Sequence, residues 1–102
     1  MGLKNELKEK LEKIADNPQN SFDRIILDNR GILENMSEAQ LSDIYMLRKK
    51  CENLCRIIPY EREEIALLVE SGEVDPKNRI AELHDCFTAA EYIFAKAKNE
   101  DY

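Results

Sequence analysis

The chain of 102 residues contains no tryptophan, one histidine, three glycines, three prolines and three cysteines. So little glycine and proline excludes a collagen-like or low-complexity chain. An odd cysteine count does not form a closed disulfide framework. With the absence of an apolar signal core in Leu3–Lys13, it points to a reducing, cytoplasmic setting. Met1-Gly2 opens like a myristoylation pattern, but Glu6 stands where Ser or Thr is required. Long apolar runs are missing too. The longest aliphatic run, Ile65–Val69, is far short of the roughly 20 residues a membrane span needs, so no membrane partner is expected. Concentrated basic charge is also scarce. Arg48, Lys49 and Lys50 form the only tight basic group, with Arg56 nearby, too few cations for a nucleic-acid footprint.

What the chain does have is acid and helical periodicity. Hydrophobic residues make up 43% and charged residues 35%, enough apolar surface for one core, and the net charge is −6. That charge is unevenly placed. Residues 1–58 carry ten acids and ten bases, whereas residues 59–102 carry eleven acids and five bases. Between Glu61 and Asp75 there are six acids and one base, Arg62. A basic protein surface is the natural counterpart of such a segment.

Leu3, Leu7, Leu11 and Ile14 make one apolar stripe, and Asn17-Pro18 ends that helix because proline disfavours helical geometry in the residue before it. A second segment, from Ser21 to Met36, is expected to break at Asp28-Asn29-Arg30-Gly31. Ser37 with Gln40 forms a capping box for the third helix, and Met36 with Leu41 a hydrophobic staple. Its seam runs through Ile44, Leu47, Cys51, Leu54 and Ile58, and the same frame continues through Glu61, Ile65 and Leu68. Pro59 falls inside this frame, so a kink or two helices nearly in line are expected, with Gly72 as C-terminal cap. Asp75-Pro76 opens the last helix, whose stripe is Ile80, Leu83, Phe87, Ala90, Phe94 and Ala97. The expected fold is all-α, a single helical domain over residues 1–102. Four to five helices are expected to form a bundle around a long antiparallel C-terminal pair.

Two constellations could carry chemistry. Cys51, Cys55, His84 and Cys86 are zinc-ligand types, but residues two apart on a helix point in nearly opposite directions, so His84 and Cys86 do not face one ion. Cys51 and Cys86 read as core cysteines. The acidic constellation is Glu61 and Glu64 (E-x-x-E) followed by Glu82 and Asp85 (E-x-x-D). Over residues 61–85 this resembles the magnesium site of the MazG-type all-α nucleotide pyrophosphohydrolases, with Tyr60 where that family has a further Glu. The resemblance implies a Mg²⁺ cofactor held by Glu61, Glu64, Glu82 and Asp85, with a metal-bound water attacking a phosphate. Helical geometry counts against convergence. The stripe Ile80–Phe94 sets the inward direction of the last helix, and at about 100° per residue Asp85 points nearly opposite to it.

Away from the seams lie Tyr45, Met46, Tyr60 and Tyr92, residue types enriched at protein interfaces. The leading reading is therefore a small non-catalytic regulator or inhibitor that binds a protein, without a cofactor. Its expected partner-binding residues are Tyr45, Met46, Tyr60, Glu63, Glu70, Glu73 and Tyr92. The Mg²⁺-dependent pyrophosphohydrolase is the alternative, and a structural homo-oligomer such as a homodimer is a second one.

Overall fold

A computed structural model describes residues 2–58, 60–72 and 79–99. Among these residues five α-helices follow in order: α1 (Leu3–Asp16), α2 (Ser21–Asp28), α3 (Glu38–Ile57), α4 (Arg62–Glu70) and α5 (Arg79–Asn99). A 3-10 helix, Arg30–Asn35, lies between α2 and α3. Among the described residues there is no strand, and no helix is long and apolar enough to cross a membrane.

The local signals explain most of these boundaries. α1 ends at Asp16, just before Asn17-Pro18. The second segment breaks after Asp28, where the Asn29 side-chain amide donates back to the Ile25 carbonyl at 2.8 Å and closes the helix end. α3 starts on its capping box: Ser37 Oγ accepts from the Gln40 N–H at 3.1 Å, and Gln40 Oε1 accepts from the Ser37 N–H at 3.0 Å. Gly72 takes φ +71°, the left-handed value that terminates a helix, and its N–H donates to the Val69 carbonyl. The expected start of the last helix at Asp75-Pro76 lies outside the described residues.

The frame through Pro59 is broken, not kinked. α3 stops at Ile57, and Ile58, the residue before proline, is extended at φ −102°, ψ 106°. A new helix then begins after Glu61, which is also extended. The buried seam nevertheless resumes at Ile65.

The core is one connected cluster. Leu7, Leu11 and Ala15 of α1 meet Phe22, Ile25 and Ile26 of α2, Leu41, Ile44, Cys51 and Leu54 of α3, and Leu83, Phe87, Ala90 and Phe94 of α5. Leu3, the first member of the α1 stripe, is half-exposed because it occupies the helix's first position, beyond the core. α5 packs on both α3 and α4, and α2 touches α1, α3 and α5. Phe22 and Phe87 join α2 to α5 with ring centroids 6.4 Å apart.

Among the described residues one charged side chain lies inside this core. Asp23 is fully buried. Its carboxylate accepts from Arg48 Nε at 2.7 Å, from Arg48 Nη2 at 3.3 Å and from the Gln19 N–H at 2.9 Å. Its own N–H donates to Asn20 Oδ1 at 2.9 Å, the N-cap bond of α2. The hydrogen bond to Asp23 raises the Arg48 guanidinium above its ordinary value, against the opposing effect of burial. This pair locks α2 to α3. Around it are exposed pairs worth little singly: Lys8–Glu34, Arg30–Asp16, Arg24–Glu61 and Arg62–Asp28.

Removing one partner of a buried ion pair leaves the other charge uncompensated. Asp23→Ala is expected to lower the unfolding free energy in urea by roughly 3–5 kcal/mol. Loss of the Ser37 cap by Ser37→Ala is expected to cost about 1 kcal/mol in the same measurement. A smaller effect for Asp23→Ala than for Ser37→Ala would show that the ion pair does not hold the fold.

Candidate functional site

The residues singled out from the sequence divide into those the fold uses internally and those it leaves on the surface. Glu61 belongs to the first group. Its carboxylate accepts from Arg24 Nη1 at 2.8 Å and from Ser21 Oγ at 3.2 Å, tying the start of α4 to α2. Glu64 accepts from the Glu61 N–H at 3.4 Å across the first turn of α4. Three of the clustered acids, Glu61, Glu63 and Glu64, therefore sit at a helix N-terminus, where negative charge is favoured by the helix dipole. The E-x-x-E spacing is accounted for by helix capping.

Glu82 and Asp85 are exposed on α5. Among the described residues no three His, Cys, Asp or Glu side chains come together in a group able to hold a metal ion. The four carboxylates Glu61, Glu64, Glu82 and Asp85 are thus not gathered, nor are Cys51, Cys55, His84 and Cys86. His84 is half-buried on the flank of α5.

The cysteines separate by environment. Cys51 and Cys86 are buried, and Cys55 is partly exposed. All three are free thiols. Cys55 lines two adjoining clefts of about 170 and 320 Å³ between the α1–α2 turn and the end of α3. Its sulfur lies 4.0 Å from that of Cys51. The hydrogen bond with Cys51 pulls the Cys55 thiol below its ordinary value, aided by the Phe22 backbone N–H and opposed by burial. That same bond, with burial, pushes Cys51 up, and burial alone is the main cause that raises Cys86.

The second group forms the outer surface. Met46 (60% exposed), Tyr60 (42%), Leu67 (64%) and Tyr92 (64%) are large apolar or aromatic side chains in solvent. Tyr60, Leu67 and Leu68 border an open groove of about 470 Å³ on α4, with Glu64 and Ser71 in its wall. Glu63 and Glu70 are exposed on the same short helix. A second open groove, about 450 Å³, lies between α3 and α5 and is lined by Asp43, Met46, Leu47, Lys50, Ala89 and Ile93. Tyr45 differs from the other expected surface residues. It is half-buried against the core, with the Lys10 ammonium of α1 5.2 Å and that of Lys49 5.3 Å from its ring centroid. The first helix therefore covers the face on which Tyr45 lies. Glu73 lies outside the described residues.

Sequence periodicity alone missed Asp23, Leu67 and Ile57. Asp23 carried one usable signal, its place three residues after Asn20 at a helix start. Leu67 and Ile57 lie outside the seam through Leu54, Ile58, Ile65 and Leu68, the one signal that could have found them, and they are 64% and 55% exposed. Arg48, read as one of a basic triplet, is withdrawn from it by Asp23.

No protein-family model matches the chain, and neither does any curated protein or solved structure. The likeness of residues 61–85 to the MazG-type site is therefore confined to the spacing of four carboxylates.

The thiolate is the nucleophilic form of cysteine. Iodoacetamide is expected to label Cys55 first in the folded protein, with Cys51 and Cys86 labelled only on unfolding. The rate should rise through a midpoint below the ordinary thiol value, and Cys51→Ala should move that midpoint up. Mass spectrometry of partly labelled protein checks the order, and equal labelling of all three thiols would contradict it.

Proposed function

We propose that the protein is a small, non-catalytic protein-binding module of the regulator or inhibitor kind. Its outer helix faces and acidic C-terminal half dock on a basic protein surface with an apolar centre. The observation that carries this reading is the exposed strip on α4. Leu67 stands in solvent beside Glu63, Glu64 and Glu70 on a nine-residue helix whose opposite side buries Ile65, and Tyr60, just before that helix, is exposed in the same groove. Large apolar side chains ringed by one sign of charge match the anatomy of a binding patch, in which a desolvated centre supplies affinity and a charged rim supplies steering.

The helical frame supports the same reading. Leu83 and Phe87 share a cleft with Cys55 and Ile58, while Ala89 and Ile93 share a groove with Asp43, Met46 and Leu47. As α5 advances, its neighbours on α3 retreat, the order of an antiparallel pair. Such a pair presents Met46 and Tyr92 on a broad outer surface. Tyr45 is left out of the docking set, since α1 covers it. The proposed docking residues are Met46, Tyr60, Glu63, Glu70 and Tyr92, with Leu67 added and Glu73 kept from the sequence.

Affinity capture from the native host, read by mass spectrometry, tests the reading. A specific protein with a basic surface should be retained. Glu63→Lys/Glu70→Lys should slow association about tenfold or more at low salt and flatten its salt dependence. Leu67→Glu should abolish capture, and Lys13→Glu on α1 should leave it intact. Retention indifferent to the α4 substitutions would remove this surface from the function.

A further inference from the structure

The groove between α3 and α5 has a charge pattern that the α4 strip lacks. From α3 it is lined by Asp43, Met46, Leu47 and Lys50, and from α5 by Ala89 and Ile93. Asp43 precedes the midpoint between Met46 and Leu47 by as many positions as Lys50 follows it. α5 repeats this arrangement. Asp85 and Lys96 are equidistant from the midpoint between Ala90 and Glu91, and so are Ala89 and Tyr92. The two midpoints lie at one level of the groove, because Met46 and Leu47 line it together with Ala89 and Ile93. Along this face each helix has acid before the centre and base after it, with Met46 and Leu47 between them on α3 and Ala89, Tyr92 and Ile93 on α5.

A surface with that pattern is complementary to itself. A two-fold axis lying in the face, perpendicular to the helices and passing through the common centre, sets each helix antiparallel to its own copy. Asp43 then meets the second copy's Lys50, Asp85 meets its Lys96, and Met46 and Tyr92 are buried in the middle. An isologous interface requires this reciprocity, in which each residue of a pair meets the other on the facing subunit. Asp43, Lys50, Asp85 and Lys96 are all exposed, and none belongs to an ion pair among the described residues.

We infer that the α3–α5 groove is a homodimer interface, its occupant a second copy of this chain related by a two-fold axis at the Met46–Leu47 level. Helices of 20 and 21 residues are each about 30 Å long. Side by side they present roughly 600 Å² per copy, the lower limit for a stable specific interface, so the dimer dissociates on dilution. The inference deepens the binding reading: it rests on that reading's claim that the outer faces bind protein, reassigns Met46 and Tyr92 of its docking set to the second copy, and leaves the α4 strip free for a different partner.

Sedimentation velocity of the full chain over a wide concentration range tests it. The parent protein should pass from monomer to dimer as concentration rises, and added salt should shift the equilibrium towards monomer. Asp43→Lys and Lys50→Asp each create a like-charge contact twice across the axis and should weaken dimerisation about tenfold or more. The double variant Asp43→Lys/Lys50→Asp restores opposite charges across the axis and should dimerise like the parent. Met46→Glu and, on the other helix, Tyr92→Glu should remain monomeric with unchanged helical circular dichroism. A parent that stays monomeric at every concentration assigns the groove to a different protein or to none, and overturns the inference. So do a dimer indifferent to Asp43→Lys and Lys50→Asp, and a double variant no better than its single parents. Failure of the dimer with α4-dependent capture intact rejects this inference alone, and the converse result rejects the partner surface alone.

Discussion

The buried pair Asp23–Arg48 is the constraint on which the rest of the arrangement depends. A carboxylate with no access to solvent is tolerable only when its lone pairs are filled, and here the guanidinium and the Gln19 N–H fill them. Those donors come from different places in the chain, so satisfying one charge positions the α1–α2 turn, the first turn of α2 and the middle of α3 together. α2 in turn carries Ser21 and Arg24, which hold Glu61 and so determine where α4 begins. The orientation of the α4 strip thus descends from a charge buried beneath α2.

A second theme is how the acids are divided. A motif of paired carboxylates can signal a metal, a helix start or a binding rim, and spacing alone does not distinguish them. Glu61 and Glu64 are used at the N-terminus of α4, where backbone N–H groups and Arg24 compensate their charge. Glu82 and Asp85 stand on the outside of α5. Cysteines divide in the same way. Cys51 and Cys86 behave as small core residues, whereas Cys55 meets solvent at the junction of α2 and α3, beside the arginine that Asp23 holds in place.

The proposed binding surfaces are built from apolar positions left outside the core. A two-layer helical protein this small cannot bury every large side chain, and scattered exposure would be ordinary. Two of the exposed places differ in charge: Glu63, Glu64 and Glu70 lie near Leu67 on α4, whereas Asp43 and Lys50 flank Met46 on α3. One pattern suits a basic partner and the other suits a copy of itself.

Much of this could be read from residue order, because the interactions concerned are local. The stripes at three-four spacing, the Ser37–Gln40 box, the stop before Pro18, the break near Gly31 and the glycine cap at Gly72 each involve residues within a turn or two of one another. That the helix breaks at Pro59 accords with the extended Ile58 before it, whereas the contacts of Glu61 with Arg24 and Ser21 come from across the fold. Tyr45, expected on the outer surface, is half-buried because α1 lies over it. The amino-acid order alone determined which residues form helices and which side of each is greasy, since both depend on neighbours along the chain. The tertiary structure alone decided which charges are consumed inside and which faces stay open, since those depend on groups up to forty positions apart that meet only after the helices have packed.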